Sequence, residues 1–104
     1  MIQIKSKAQF EQVIAGDLVL IDFYGITCAP CKIYAEELNK VAYDLPYVTI
    51  AKVCTDELQD LAREFQVNAV PTTLIYQRGE LKERYMGAKE SQWVRNRLAE
   101  YLYG

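Results

Sequence analysis

DLVLIDFYGITCAPCK, Asp17 to Lys32, decides how this chain folds. Leu18-Val19-Leu20-Ile21 is apolar at successive rather than alternate positions, the pattern of a central strand covered on both faces. The second half places Cys28 and Cys31 three positions apart, where that strand meets a helix. Pro30 suits the first helical turn, because it has no N–H to lose and its φ is already helical. A buried strand running straight into a helix opened by cysteines asks for further strands on either side.

Outward from that stretch, both flanks supply them. Met1 to Lys5 alternates as a short strand does, and Ser6 with Gln9 forms a capping box for a helix carrying Phe10, Val13 and Ile14, ended by Gly16. Downstream, a helix from Pro30 to about Asp44 repeats Ile33, Leu38, Val41 and Ala42 at helical spacing, and Leu45-Pro46 closes it. Val48 to Cys54 reads as a second buried strand. Asp56 caps a short helix through Phe65, with Leu58, Leu61 and Ala62 turned inward. TTLIYQRGELKERYM, Thr72 to Met86, predicts a hairpin around Gln77-Arg78-Gly79-Glu80. A last helix from about Glu90 carries Val94, Leu98, Tyr101 and Leu102 on one side. The order βαβαβαββα, with no repeat and no linker, predicts one α/β domain over residues 1–104: a mixed sheet of about five strands with about four helices on both faces.

Composition excludes several classes. With 51% hydrophobic and 25% charged residues the chain is too apolar for disorder, and its net charge of −2 leaves no footprint for nucleic acid. No apolar stretch approaches the ~20 residues that span a bilayer, and MIQIKSKAQFEQ lacks the apolar core of a secretory signal. A soluble, cytoplasmic monomer is expected. Histidine is absent, which removes Cys-His and Ser-His-Asp catalysis and Cys2His2 zinc sites.

The cysteine pair then admits three readings. A zinc half-site needs two more ligands, and only Cys54 remains. A pair of structural core thiols fits poorly with a spacing that straddles a loop–helix junction. Reversible dithiol–disulfide chemistry fits spacing and place together. A thiol at a helix N-terminus faces free N–H groups and the positive end of the dipole, both favouring the nucleophilic thiolate. Cys31 lies one turn further on the same face, within disulfide reach of Cys28. Cys54, at the end of a buried strand, reads as a small core hydrophobe.

DFYGITCAPCK resembles the active-site segment of the thioredoxin family, and the likeness runs from about Val19 to Tyr101. The thioredoxin CxxC is itself a standard example of a low-pKa thiol pair. The resemblance implies a thioredoxin fold with Asp22 as the buried aspartate that exchanges a proton with Cys31, and Lys52 as the charge partnering Asp22. It also implies that Val70-Pro71-Thr72 is the loop whose proline is cis. Gly87 would leave room for substrate backbone. Thr27, Ala29, Pro30, Val70, Pro71, Gly87 and Ala88 would form the client-binding surface. No cofactor beyond a redox-active Cys28–Cys31 disulfide is implied. The implied partners are client proteins with disulfides and a thioredoxin-reductase-like electron donor.

Four positions depart from the family pattern. Thr27 and Tyr24 replace tryptophans, Ala29 replaces a glycine, and Glu36 replaces a proline that kinks the helix. Losing the aromatic area beside Cys28 should weaken docking of general partners. Family oxidants and isomerases carry histidine between the cysteines, which stabilises the reduced thiolate. Ala29-Pro30 offers no such donor, which points to a disulfide reductase. A docking module that merely keeps the fold, and an oxidase or isomerase, are the alternatives.

Overall fold

The computed structural model describes residues 1–103. Nine elements follow one another: β1 (Ile2–Ile4), α1 (Lys7–Ile14), β2 (Val19–Tyr24), α2 (Ala29–Asp44), β3 (Thr49–Cys54), α3 (Gln59–Glu64), β4 (Thr72–Gln77), β5 (Glu80–Met86) and α4 (Ser91–Tyr103). The expected order is therefore the observed one. The strands form one sheet in the order β1-β3-β2-β4-β5, with β1, β3 and β2 parallel and the hairpin β4–β5 attached antiparallel.

The apolar run of β2 has the consequence its pattern implies. Val19, Leu20, Ile21 and Phe23 are fully buried, and β2 is hydrogen-bonded on both edges. Odd positions, Val19, Ile21 and Phe23, point into one core with Ile4, Phe10, Leu61 and Leu74. Even positions, Leu18 and Leu20, point into the other with Tyr34, Leu38, Val41, Val94 and Leu98. Thus α1 and α3 cover one face, and α2 and α4 the other.

Local details differ from the expectation where distant contacts intervene. Ser6 does cap α1, accepting from Gln9 N–H at 3.1 Å, but Gln9 Oε1 accepts from Lys5 N–H at 2.7 Å rather than from Ser6. Gly16 does not end α1 by a left-handed turn; Ala15 is the C-cap, and Gly16 instead sits where a Cβ would press on Val19 at 3.2 Å. Ile33 is not a core residue of α2. It is 61% exposed, and Tyr34 takes the inner position with no exposed surface. A residue one step along a helix turns by about 100°, so an apolar Ile-Tyr pair can present either member. Glu36 lies exposed in an α2 that runs unbroken.

Phe10 joins the α1/α3 core through ring contacts with Phe23, Phe65 and Tyr76 at 6.3, 5.0 and 6.2 Å between centroids. Phe10→Ala should lower the unfolding free energy by about 3–5 kcal/mol in urea titration. It should leave the rate of thiol alkylation at Cys28 unchanged, because that site belongs to the opposite layer.

Candidate active site

The site forms where β2 ends. β2 and β4 are antiparallel, with Phe23 opposite Thr72, so the segment entering β4 lies beside the loop leaving β2. That places Val70 next to the cysteines: Cys28 Sγ is 3.8 Å from the Val70 carbonyl oxygen, and a Cβ on Gly25 would meet Val70 Cγ2 at 3.3 Å. The Val70–Pro71 bond is cis, as the family likeness implied. Gly87 N–H donates to Pro71 O at 2.9 Å, which brings the end of β5 to the same edge. Gly87 has φ +90° with open space where a side chain would stand, a backbone favourable to glycine.

Cys28 is the N-cap of α2. Its Sγ accepts from Cys31 N–H at 3.2 Å, and the two cysteines are joined as a disulfide with Cα atoms 5.2 Å apart. Cys28 is half-buried, whereas Cys31 is 3% exposed. The helix terminus and the N–H therefore serve the outer sulfur, and packing shields the inner one. Thr27, Ala29, Pro30 and Ala88 are exposed around Cys28, with Val70 and Gly87 half-buried. Pro71 is buried, so it shapes this surface from beneath rather than forming part of it.

Asp22 lies on the even face of β2, under α2, whose first buried residues are Cys31 and Tyr34. It has no exposed surface, and neither carboxylate oxygen has a hydrogen-bond partner. Burial pushes its carboxyl from 3.8 up to about 7, and the Lys52 charge pulls it back only in part. Lys52 is the charge that acts on Asp22, as the resemblance implied, but without a direct ion pair. The two residues are in register across β2–β3, but Lys52 Nζ sits 4.4 Å from the centre of the Tyr24 ring and acts on the carboxylate through space. Tyr24, where the family has tryptophan, supplies the ring that holds it.

One contributor was not foreseen. Asp56 does not cap α3, whose N-cap is Leu58 with no side-chain bond. Its Oδ2 instead accepts from Ile26 N–H at 2.8 Å and lies 4.0 Å from Cys54 Sγ. The carboxylate thus braces the loop that delivers Cys28, and only the parallel pairing of Tyr24 with Cys54 brings it there. Cys54 itself is 1% exposed and packed in the core, as expected. Among the described residues no cluster of three or more His, Cys, Asp or Glu could hold a metal ion, and no helix is long and apolar enough to cross a membrane.

The thioredoxin family model matches residues 1–100. A thioredoxin of Chlamydia muridarum is 40% identical over 90 residues, spanning 86% of this chain and 88% of that protein. The bifunctional thioredoxin reductase/thioredoxin of Mycobacterium leprae is 36% identical over 90 residues, which span 85% of this chain and 20% of that protein. Among solved structures, the thioredoxin of Trypanosoma brucei brucei superposes with a TM-score of 0.92 at 27% identity, covering 100% of this chain and 92% of that one. The chain belongs to the thioredoxin family, and it is a thiol–disulfide oxidoreductase, a protein-disulfide reductase working through Cys28 and Cys31.

The Asp22 carboxyl holds its proton more tightly folded than unfolded. Between pH 4 and 7 the native state therefore binds the extra proton, and stability falls as pH rises through that window. Over those roughly three pH units the loss is about 4 kcal/mol. Asp22→Asn abolishes the titration. Since a buried amide without partners costs about 1–3 kcal/mol itself, the variant should be about 1–3 kcal/mol more stable than the parent at pH 8 and no more stable at pH 4. Urea midpoints across that range measure it.

Proposed function

We propose that this thioredoxin-family chain reduces client protein disulfides in the cytoplasm, with Cys28 as attacking thiol, Cys31 as resolving thiol and Asp22 as proton acceptor. The observation that carries the assignment is the asymmetry of the pair: Cys28 Sγ caps α2 and accepts the Cys31 N–H, while Cys31 is buried in the helix that covers the Asp22 face of the sheet.

The reaction runs in two exchanges. The Cys28 thiolate attacks one client sulfur, the client S–S bond breaks, and a client thiolate leaves; Cys28 is now in a mixed disulfide. Cys31 gives its proton to the Asp22 carboxylate and attacks Cys28 Sγ, expelling the second client thiolate. Two electrons have passed to the client, and the Cys28–Cys31 disulfide remains. Asp22 suits the second exchange, since a base is most effective when its pKa lies near the working pH, and burial holds this one at about 7. Lys52 tunes it through space. The Val70 carbonyl beside Cys28, with Gly87 and Ala88 opposite, offers an extended client backbone a strand-like edge.

An external dithiol has to restore Cys28 and Cys31. The Mycobacterium leprae relative, which joins a thioredoxin reductase to a thioredoxin in one chain, supports a reductase of that kind as the donor and an electron-carrier role for this chain. A reducing compartment holds such donors, which favours the cytoplasm, and cell fractionation tests it. The protein is proposed to act as a monomer, leaving the Cys28 end free for clients; sedimentation at twice the single-chain mass would refute that.

Trapping separates the two thiols. In a Cys54→Ser background, Cys31→Ser should accumulate clients covalently held through Cys28, because the first exchange proceeds and the second has no nucleophile. Cys28→Ser should trap almost none. Equal trapping by both would overturn the assignment. Asp22→Asn should slow release of the mixed disulfide at neutral pH while leaving the first attack intact, read by stopped-flow with a disulfide peptide.

A further inference from the structure

A cavity of about 250 Å³ lies between the first turns of α2 and the ends of β2 and β3. Cys31, Lys32 and Ala35 line it from α2, and Tyr24, Ile26 and Lys52 line it from the sheet and the loop after β2. Gly25 also borders it, and a Cβ there would stand 3.5 Å from Cys28 Cβ. An extended chain advances about 3.3–3.6 Å per residue, so the cavity lies within a residue or two of the reacting sulfurs.

The lining is mostly apolar, with two cations in it. Lys52 is half-buried, its Nζ held 4.4 Å from the centre of the Tyr24 ring, and the Tyr24 hydroxyl is tied to Gln3 Oε1 at 3.2 Å. Neither Asp22 oxygen takes a hydrogen bond, so Lys52 donates nothing there. Lys32 is exposed. No ion pair among the described residues uses either ammonium. Asp56, the carboxylate bound to this loop, is engaged by Ile26 N–H at 2.8 Å. A chain with 14 acidic and 12 basic residues thus leaves two cations unpaired around an apolar cavity beside its thiols. An ammonium steadied by an aromatic ring keeps its N–H donors for an incoming anion.

Volume and lining together choose the occupant. Small-molecule sites run to about 300–1,000 Å³, so this cavity is small for a free ligand and suits one long side chain. A carboxylate answers the two ammoniums, and a methylene stem answers Tyr24, Ile26 and Ala35; glutamate has both. We propose that the cavity is a specificity pocket for the client chain, taking a glutamate one or two residues from the client's disulfide sulfur, with its carboxylate between Lys32 and Lys52. This rests on the reading of Cys28 as attacking thiol, which brings the client's own cysteine to the edge of the cavity.

The test compares substrates on the intact protein. Short peptides, each joined through one cysteine to a chromogenic thiol, carry glutamate, glutamine or lysine at each of the two positions on either side of that cysteine. At one of these positions glutamate should give a kcat/KM about three- to tenfold above glutamine, the order expected of two partly screened ion pairs, and lysine should fall below both. The protein's net charge is −2, so long-range attraction opposes an acidic peptide and the preference can only be local. High salt should erase it. Lys32→Gln should remove most of the glutamate-to-glutamine ratio, and Lys32→Arg should keep it; a merely structural role for Lys32 would leave the ratio unmoved. Equal kcat/KM for glutamate and glutamine at all four positions, or a ratio that Lys32→Gln does not lower, overturns the proposal. Failure of the parent reading shows instead as equal client trapping by Cys28→Ser and Cys31→Ser, and takes the pocket's role with it.

Discussion

An ionisable carboxyl inside a strand that is covered on both faces governs the design of this molecule. β2 is paired along both edges and packed on both sides, so nothing at Asp22 can relax toward water. The expected relief would be an ion pair with Lys52, one strand away. Lys52 instead lies over Tyr24, leaving the charge near enough to lower the cost of ionisation but not to remove it. A direct ion pair would have held Asp22 permanently ionised and made it a poor proton acceptor. The incomplete relief keeps the carboxyl able to change state near neutral pH.

The same strand delivers the chemistry at its end. Because β2 is rigid, the loop after it is aimed by few contacts: Asp56 on Ile26 N–H, Val70 against Gly25 and Cys28, and the Cys28 cap on α2. Each comes from a different element, and each depends on the parallel or antiparallel register with β2. The outer and inner sulfurs are thus distinguished by architecture and not by any difference in their own chemistry.

Much of the fold was legible because its signals are local. The continuous apolar run of β2, the Ser6 cap, the Arg78-Gly79 turn with both residues at positive φ, and Cys28 before Pro30 are patterns a few residues long. The cysteine pair was legible for the same reason. What escaped is non-local. Asp56 had a ready local use as a cap, and a backbone N–H thirty positions away claimed it. Ile33 and Tyr34 both satisfy the helical pattern, and hydropathy favours Ile33. Tyr34 wins the interior because Thr73 and Tyr85 supply partners for its hydroxyl, a condition written in two distant strands. Lys52 was placed correctly beside Asp22, but its direction was set by the Tyr24 ring.

The departures from the family pattern follow from these placements. Thr27 leaves the rim of the site without an aromatic, and Ile26 at 56% and Met86 at 60% exposure, near the same end of the sheet, supply apolar surface there. The unbranched Met86 side chain adapts to varied partners better than a flat indole, at a cost in the anchoring that a buried aromatic provides. Inside, Tyr34, Thr73 and Tyr85 bring hydroxyls into a layer otherwise built from Leu20, Leu38, Val41 and Ile75. Burying them is tolerable only because they satisfy one another, since each hydroxyl alone would cost about 1–3 kcal/mol.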